Sequence, residues 1–122
     1  SVGIDPADKV QRRQYTAEMF SMFNAPTVLF LLLDNRLEFD YHLVDTGILT
    51  QTICLLAASR GLGTCIMAMA AFYPDILQQE LAIGDDKTSV LGIALGYPDP
   101  DSPLNSFERE RDPLDSFFRW VK

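Results

Sequence analysis

The chain has 122 residues, enough for one compact domain and too few for two. Hydrophobic residues make up 48% of it and charged residues 22%, so apolar surface is ample for a core and a disordered chain is excluded. A formal net charge of -7 repels polyanions and argues against nucleic acid as a partner, while leaving room for one phosphate held by a few arginines.

Cys54 and Cys65 lie in apolar stretches without the spacing of a zinc site or a disulfide framework, which predicts a reducing, cytoplasmic setting. The longest uninterrupted apolar run, Val28 to Leu33, is far short of the roughly 20 residues of a membrane span. No signal-peptide pattern opens the chain, so neither membrane insertion nor export is expected. The sequence begins at Ser1 and passes into a helical pattern without a preceding strand, which predicts that an upstream part is missing.

Asp5-Pro6 is a helix start, since aspartate accepts from free backbone N–H groups and proline is tolerated at the first helical position. The helix is expected from Pro6 to Phe20, with Asp8 to Arg13 toward solvent and Tyr15, Met19, Phe20 and Phe23 packed. Asn24-Ala25-Pro26 breaks it, because the residue before proline avoids the helical region. Thr27 to Leu33 follows as a strand, apolar without alternation and therefore covered on both faces.

After the turn Asp34-Asn35-Arg36, Phe39 to Arg60 reads as one long helix, apolar around most of its circumference. A chain of this length has little to enclose such a helix with, which points to a subunit interface. Gly61-Leu62-Gly63 ends it, and Thr64 to Met67 is a short extended piece. Tyr73-Pro74-Asp75 restarts a helix through Leu81, and Gly84-Asp85-Asp86 turns the chain into a second apolar strand, Thr88 to Gly96. From Tyr97-Pro98-Asp99-Pro100 to Asn105 the chain is proline-rich and expected to be extended. A last amphipathic piece, Pro113 to Val121, presents Leu114, Phe117, Phe118, Trp120 and Val121 for docking.

Chemistry-bearing patterns are few. His42, the single histidine, has no serine or cysteine paired with it by sequence and reads as a helix histidine near a surface or interface. Neither a metal cluster, a P-loop nor a GxGxxG fingerprint is present. Gly61-Leu62-Gly63-Thr64 follows a helix, where the negative dipole end disfavours phosphate, so it is a cap. Arg109 and Arg111 would project to one side of an extended segment and can grip a phosphate. By the residues alone, the alternation Glu108, Arg109, Glu110, Arg111 is better read as a self-compensating solvated run.

Five landmarks nevertheless occur in order along nearly the whole chain. They are Phe23-Asn24-Ala25-Pro26 before a strand; Asp45-Thr46-Gly47 with Gln51 on the long helix; Gly61-Leu62-Gly63-Thr64-Cys65; Leu91-Gly92-Ile93-Ala94-Leu95-Gly96-Tyr97-Pro98; and Asn105 followed by Arg109-Glu110-Arg111-Asp112-Pro113-Leu114. In this order they resemble the C-terminal part of the FMN-dependent nitroreductase family.

The resemblance implies a single α+β domain, here partial, with a mixed, mainly antiparallel sheet flanked by helices, in an intertwined homodimer. It implies FMN at the dimer interface, NAD(P)H as reductant, and nitroaromatics, quinones or similar small molecules as acceptors. Cys65, Ile66, Met67 and Ala68 match the segment along the isoalloxazine edge, where Met67 or Ala68 contributes its amide to flavin N5; the competing reading is that Cys65 to Met69 is core. Arg109 and Arg111 match the pair that contacts the FMN phosphate. The family's N-terminal arginine-rich turn has no counterpart, and Arg12-Arg13 lies in the wrong context to replace it. The alternative is therefore a truncated, non-catalytic dimerisation or flavin-binding module.

Overall fold

In the computed structural model, which describes residues 4–106 and 110–121, the last strand of the chain takes the centre of the sheet. Strands β1 (Thr27–Asp34), β2 (Gly63–Met67) and β3 (Lys87–Gly96) are arranged β1-β3-β2. Both pairings are antiparallel, with Phe30 and Met67 flanking Gly92 and with Leu29 and Ile66 flanking Ile93. A shift in register between Leu31 and Leu32 bulges the β1–β3 ladder. Ile93 is 0% exposed; Leu31 and Leu33 on β1 are also buried, and Met67, Ala70 and Ala94 form a buried cluster.

Helix α1 spans Lys9–Phe20, three residues later than the Asp5-Pro6 signal predicts. The reason is local. Asp5 accepts from the Ala7 amide through its side chain and from the Asp8 amide through its carbonyl, closing a turn. Asp8, in extended conformation, then caps the helix by accepting from the Val10 and Gln11 amides.

Beyond Ser21 the backbone turns left-handed for three successive non-glycine residues, Met22, Phe23 and Asn24, at φ 54°, 53° and 55°. Each such residue costs about 1–2 kcal/mol, least for asparagine. Offsetting contacts come from Met22 and Phe23, which pack against Met67, Ala70 and Ala94, and from the Phe23 ring, 6.2 Å from that of Tyr15. Pro26 then sets the extended entry to β1; it sits so close to β3 that a Cβ on Gly96 would fall 2.8 Å from its Cδ.

Helix α2 spans Phe39–Ala58, ending two residues before the expected Arg60, and Gly61 takes the left-handed φ of 72° that the stop requires. It packs against all three strands. The side turned inward carries Thr46, Thr50 and Ala57. Buried threonines are tolerated because each hydroxyl donates to a carbonyl one turn back, Thr46 to His42 and Thr50 to Thr46, both at 2.7 Å. Large apolar residues point the other way: Val44 and Ile48 are each 62% exposed, and Leu49, Leu55 and Leu56 are also exposed.

A polar clasp joins the far ends of β1 and β3. Asp34 accepts from Arg36 at 2.6 Å and from Lys87 at 2.7 Å, while the Asn35 amide donates to the Asp86 carbonyl. Helix α3 (Pro74–Leu81) follows its proline signal and ends on Ala82, itself left-handed. Residues 103–106, expected to be extended, form one helical turn, α4 (Pro103–Ser106). There the Ser102 hydroxyl accepts from the Leu104 amide and the Asn105 side chain donates to the Asp99 carbonyl. Residues 110–121 carry a single 3-10 turn, Leu114–Ser116, and leave Phe117, Trp120 and Val121 exposed.

Together these elements form an α+β fold with helices on an antiparallel sheet. The accessible surface is 9660 Å², against about 6,600 Å² expected of a self-contained globule of 13.7 kDa. Among the described residues, no helix is long and apolar enough to cross a membrane.

Candidate functional site

Strand β2 lies at one edge of the sheet, with β3 on one side only. An edge strand leaves alternate N–H and C=O groups unpaired on its outer side. Along it Cys65 and Ile66 are exposed, Ile66 by 52%, whereas the Met67 side chain turns into the core and is 5% exposed. Ala68, again exposed, opens a 3-10 turn, Ala68–Ala71, closed by the Phe72 amide donating to the Met69 carbonyl at 3.1 Å. The N–H groups that open such a turn have no acceptor inside it. With the Met67 side chain buried and Ala68 carrying only a methyl group, what either can offer outward is backbone rather than side-chain chemistry.

Close packing fixes the height of this turn over the sheet. A Cβ on Gly92 would stand 2.6 Å from the Ala70 Cβ, so only glycine at the centre of β3 lets Ala70 descend onto the strand. Although Cys65 is exposed, the atoms packed around its sulfur partly desolvate it and push the thiol above its ordinary pKa, which disfavours the thiolate. The strand end thus presents a neutral, largely apolar edge with backbone donors at its tip.

Sequence reasoning placed Cys65, Ile66, Met67 and Ala68 on one segment, and the structure brings them together at the β2 edge. Arg111 is exposed, with Nη1 donating to the Glu110 carbonyl at 2.8 Å. Among the described residues, no hydrogen bond or ion pair joins it to β2. Arg109 lies outside the described residues. Gly92 and the Met22–Asn24 turn were missed as parts of the site. A glycine inside an apolar strand signals a close backbone approach and could have flagged Gly92; nothing in Met22 or Phe23 announces a left-handed backbone.

Apart from the β2 edge, a concavity of about 330 Å³ lies between β1 and the first half of α2 and is lined by Phe30–Leu33, His42, Asp45, Thr46 and Leu49. His42 Nδ1 stands 3.1 Å from Asp45 Oδ2 within the same helix. This agrees with a helix histidine near a surface. Among the described residues, no group of three or more metal-ligating side chains converges.

An antiparallel sheet carrying an exposed strand end and a long, outwardly apolar helix defines the class. A model of the nitroreductase family matches residues 2–97, and the chain belongs to that family. It is 32% identical over 118 residues to 4-nitrobenzoate reductase from Pseudomonas putida, covering 97% of this chain and 52% of that protein. It is also 32% identical over 121 residues to nitrobenzene nitroreductase from Ectopseudomonas oleovorans, covering 99% and 53%. Among solved structures, FMN-dependent nitroreductase NfnB from Mycobacterium smegmatis in complex with NADPH superposes with a TM-score of 0.91 at 28% identity, covering 98% of this chain and 53% of that one. The FMN- and NADPH-dependent NfnB from Sphigopyxis sp. strain HMH gives 0.92 at 30% identity, with the same coverage. The chain spans about half the length of these relatives.

Proposed function

We propose that the protein is an FMN-dependent oxidoreductase that passes hydride from NAD(P)H through the flavin to nitroaromatic, quinone or similar acceptors, and that this chain supplies one wall of the flavin site. The observation that carries the reading is the β2 edge, where exposed Cys65, Ile66 and Ala68 border the opening of the Ala68–Ala71 turn, whose first N–H groups have no acceptor within the turn. An isoalloxazine edge asks for this donor set: an apolar strip for the ring and an amide hydrogen for a ring nitrogen. FMN, when bound, supplies the two-electron chemistry. The chain's part is to hold the Met67 or Ala68 amide rigidly, so that polarisation at the ring nitrogen needs no reorganisation. Cys65, kept neutral, adds no competing charge.

Arg109 and Arg111 are assigned to the FMN phosphate on their match to the family's basic pair. The exposure of Arg111 suits a charge-assisted contact with an incoming anion. A second copy of the chain is assigned to the outward face of α2, because Val44, Ile48, Leu49, Leu55 and Leu56 are all more than half exposed on one helix, the kind of apolar surface that marks an interface. Both cysteines are free thiols, in keeping with a cytoplasmic location.

The test is an absorbance spectrum of the purified protein with added FMN, followed by anaerobic NADPH. Bound yellow flavin that bleaches on reduction is the expected result, and Arg111→Ala should then weaken FMN binding by about 1.5–3 kcal/mol. A colourless protein that takes up no FMN contradicts the reading and leaves a dimerisation module in its place.

A further inference from the structure

The left-handed turn at Met22–Asn24 is unusual in holding three consecutive non-glycine residues at positive φ, two of them bulky. Such a conformation persists only where the surroundings over-determine it. Here they do so from three sides. Within the turn, the Asn24 amide donates to the Ser21 carbonyl and the Ala25 amide to the Met22 carbonyl, both at 3.0 Å. Behind it stands the Tyr15 ring on α1, and beyond it Pro26 abuts Gly96. The fourth side is the consequence: Met22 and Phe23 pack against the buried cluster of Met67, Ala70 and Ala94, whose first two members bracket the exposed Ala68 and half-buried Met69.

From this arrangement we infer that the Met22–Asn24 turn is a positioning element that clamps the Met67–Ala71 segment against β3 and so fixes the direction of its outward amides. Why those amides must be held rests on the flavin reading above; that the turn holds them does not. The clamp has two jaws. Gly92 removes the obstacle beneath Ala70, and the left-handed turn supplies the pressure from α1's side. A right-handed or extended path through residues 22–24 would carry the Met22 and Phe23 side chains away from the segment. Asn24 is the residue that makes the turn accessible, because asparagine tolerates the left-handed region. Its side chain is exposed, and its importance on this account is conformational.

That last point separates positioning from ordinary packing. Asn24→Ala and Asn24→Gly both delete the same exposed side chain, but only glycine keeps the left-handed backbone cheap. The measurement is backbone amide exchange in the flavin-free protein, read at Phe72, whose N–H closes the Ala68–Ala71 turn, with Leu91 of β3 as internal reference. Asn24→Ala should raise exchange at Phe72 by about tenfold with Leu91 within about twofold of wild type, and Asn24→Gly should restore the wild-type rate. Equal behaviour of the two variants, or a rise shared by Phe72 and Leu91, overturns the inference. Should Asn24→Ala not fold, Phe23→Leu thins the contact while leaving the backbone requirement alone, and the absence of a selective rise at Phe72 overturns it equally.

In flavin-loaded protein, Asn24→Ala should also lower the two-electron midpoint potential by about 30 mV, equivalent to a tenfold weaker preference for reduced over oxidised flavin, with recovery in Asn24→Gly. A wild-type protein that takes up no FMN refutes the flavin reading, while the exchange result still decides what the turn does.

Discussion

Strand β3 and helix α2 both carry many apolar residues, and they meet opposite fates. β3 is enclosed by its own neighbours, with β1 and β2 on its edges and Ile93 wholly buried. α2 turns threonines and an alanine inward and sets valine, isoleucine and leucine outward. The contrast teaches that apolar content alone does not say who covers a segment. Small and hydroxylated residues let α2 lie close on the sheet, and its bulk is left for something else to bury.

Changes to the two regions should therefore fail in different ways. The largest effect is expected from Ile48→Glu on the outward face of α2. A carboxylate there faces burial without a partner, so association should be lost and the protein should sediment as a monomer with its fold retained. A stable dimer in this variant would break the comparison from the α2 side. Next comes Ile93→Ala, which should cost about 2–5 kcal/mol in urea unfolding without altering which faces associate, because it empties space that nothing outside the chain can fill.

Gly92→Ala should cost less, about 1–3 kcal/mol, since a Cβ only 2.6 Å from that of Ala70 forces the 3-10 turn to lift. Unlike Ile93→Ala, it should weaken FMN binding beyond what the lost stability explains. The smallest effect sharpens the account of the far end of β3. Arg36, and after it Lys87, hold the Asp34 carboxyl far below the usual carboxylate range. A depressed folded-state pKa contributes stability that is present above the unfolded value of about 3.9 and fades as pH falls toward the folded value. Asp34→Asn should thus lower the melting temperature slightly at neutral pH, with the gap to wild type closing below about pH 4. Asp34 itself is largely covered, but Arg36, its strongest partner, faces solvent, which keeps the effect modest.

Much of this was legible in the sequence where a single local cause decides the outcome. β1 follows its apolar run to within one residue, α3 follows Pro74, and α2 stops at Gly61 because a left-handed residue is needed there. Competing local causes moved the start of α1 to Asp8 and curled residues 103–106 into a helical turn through the Ser102 cap. The order β1-β3-β2 was not readable, since pairing across many residues leaves no mark within a short window. At the candidate site, the segment from Cys65 to Ala68 was proposed through the resemblance, one of whose landmarks ends at Cys65. Its support was not, because the approach of Ala70 to Gly92 and the left-handed path of Met22 and Phe23 arise from packing between elements distant in sequence.

The proposed interface between two copies of this chain lies on the apolar side of α2. The direct test is the solution mass of the purified protein by sedimentation equilibrium across a range of concentrations. A mass of about 27 kDa, twice the 13.7 kDa of the chain, is the predicted result. A concentration-independent 13.7 kDa would contradict it.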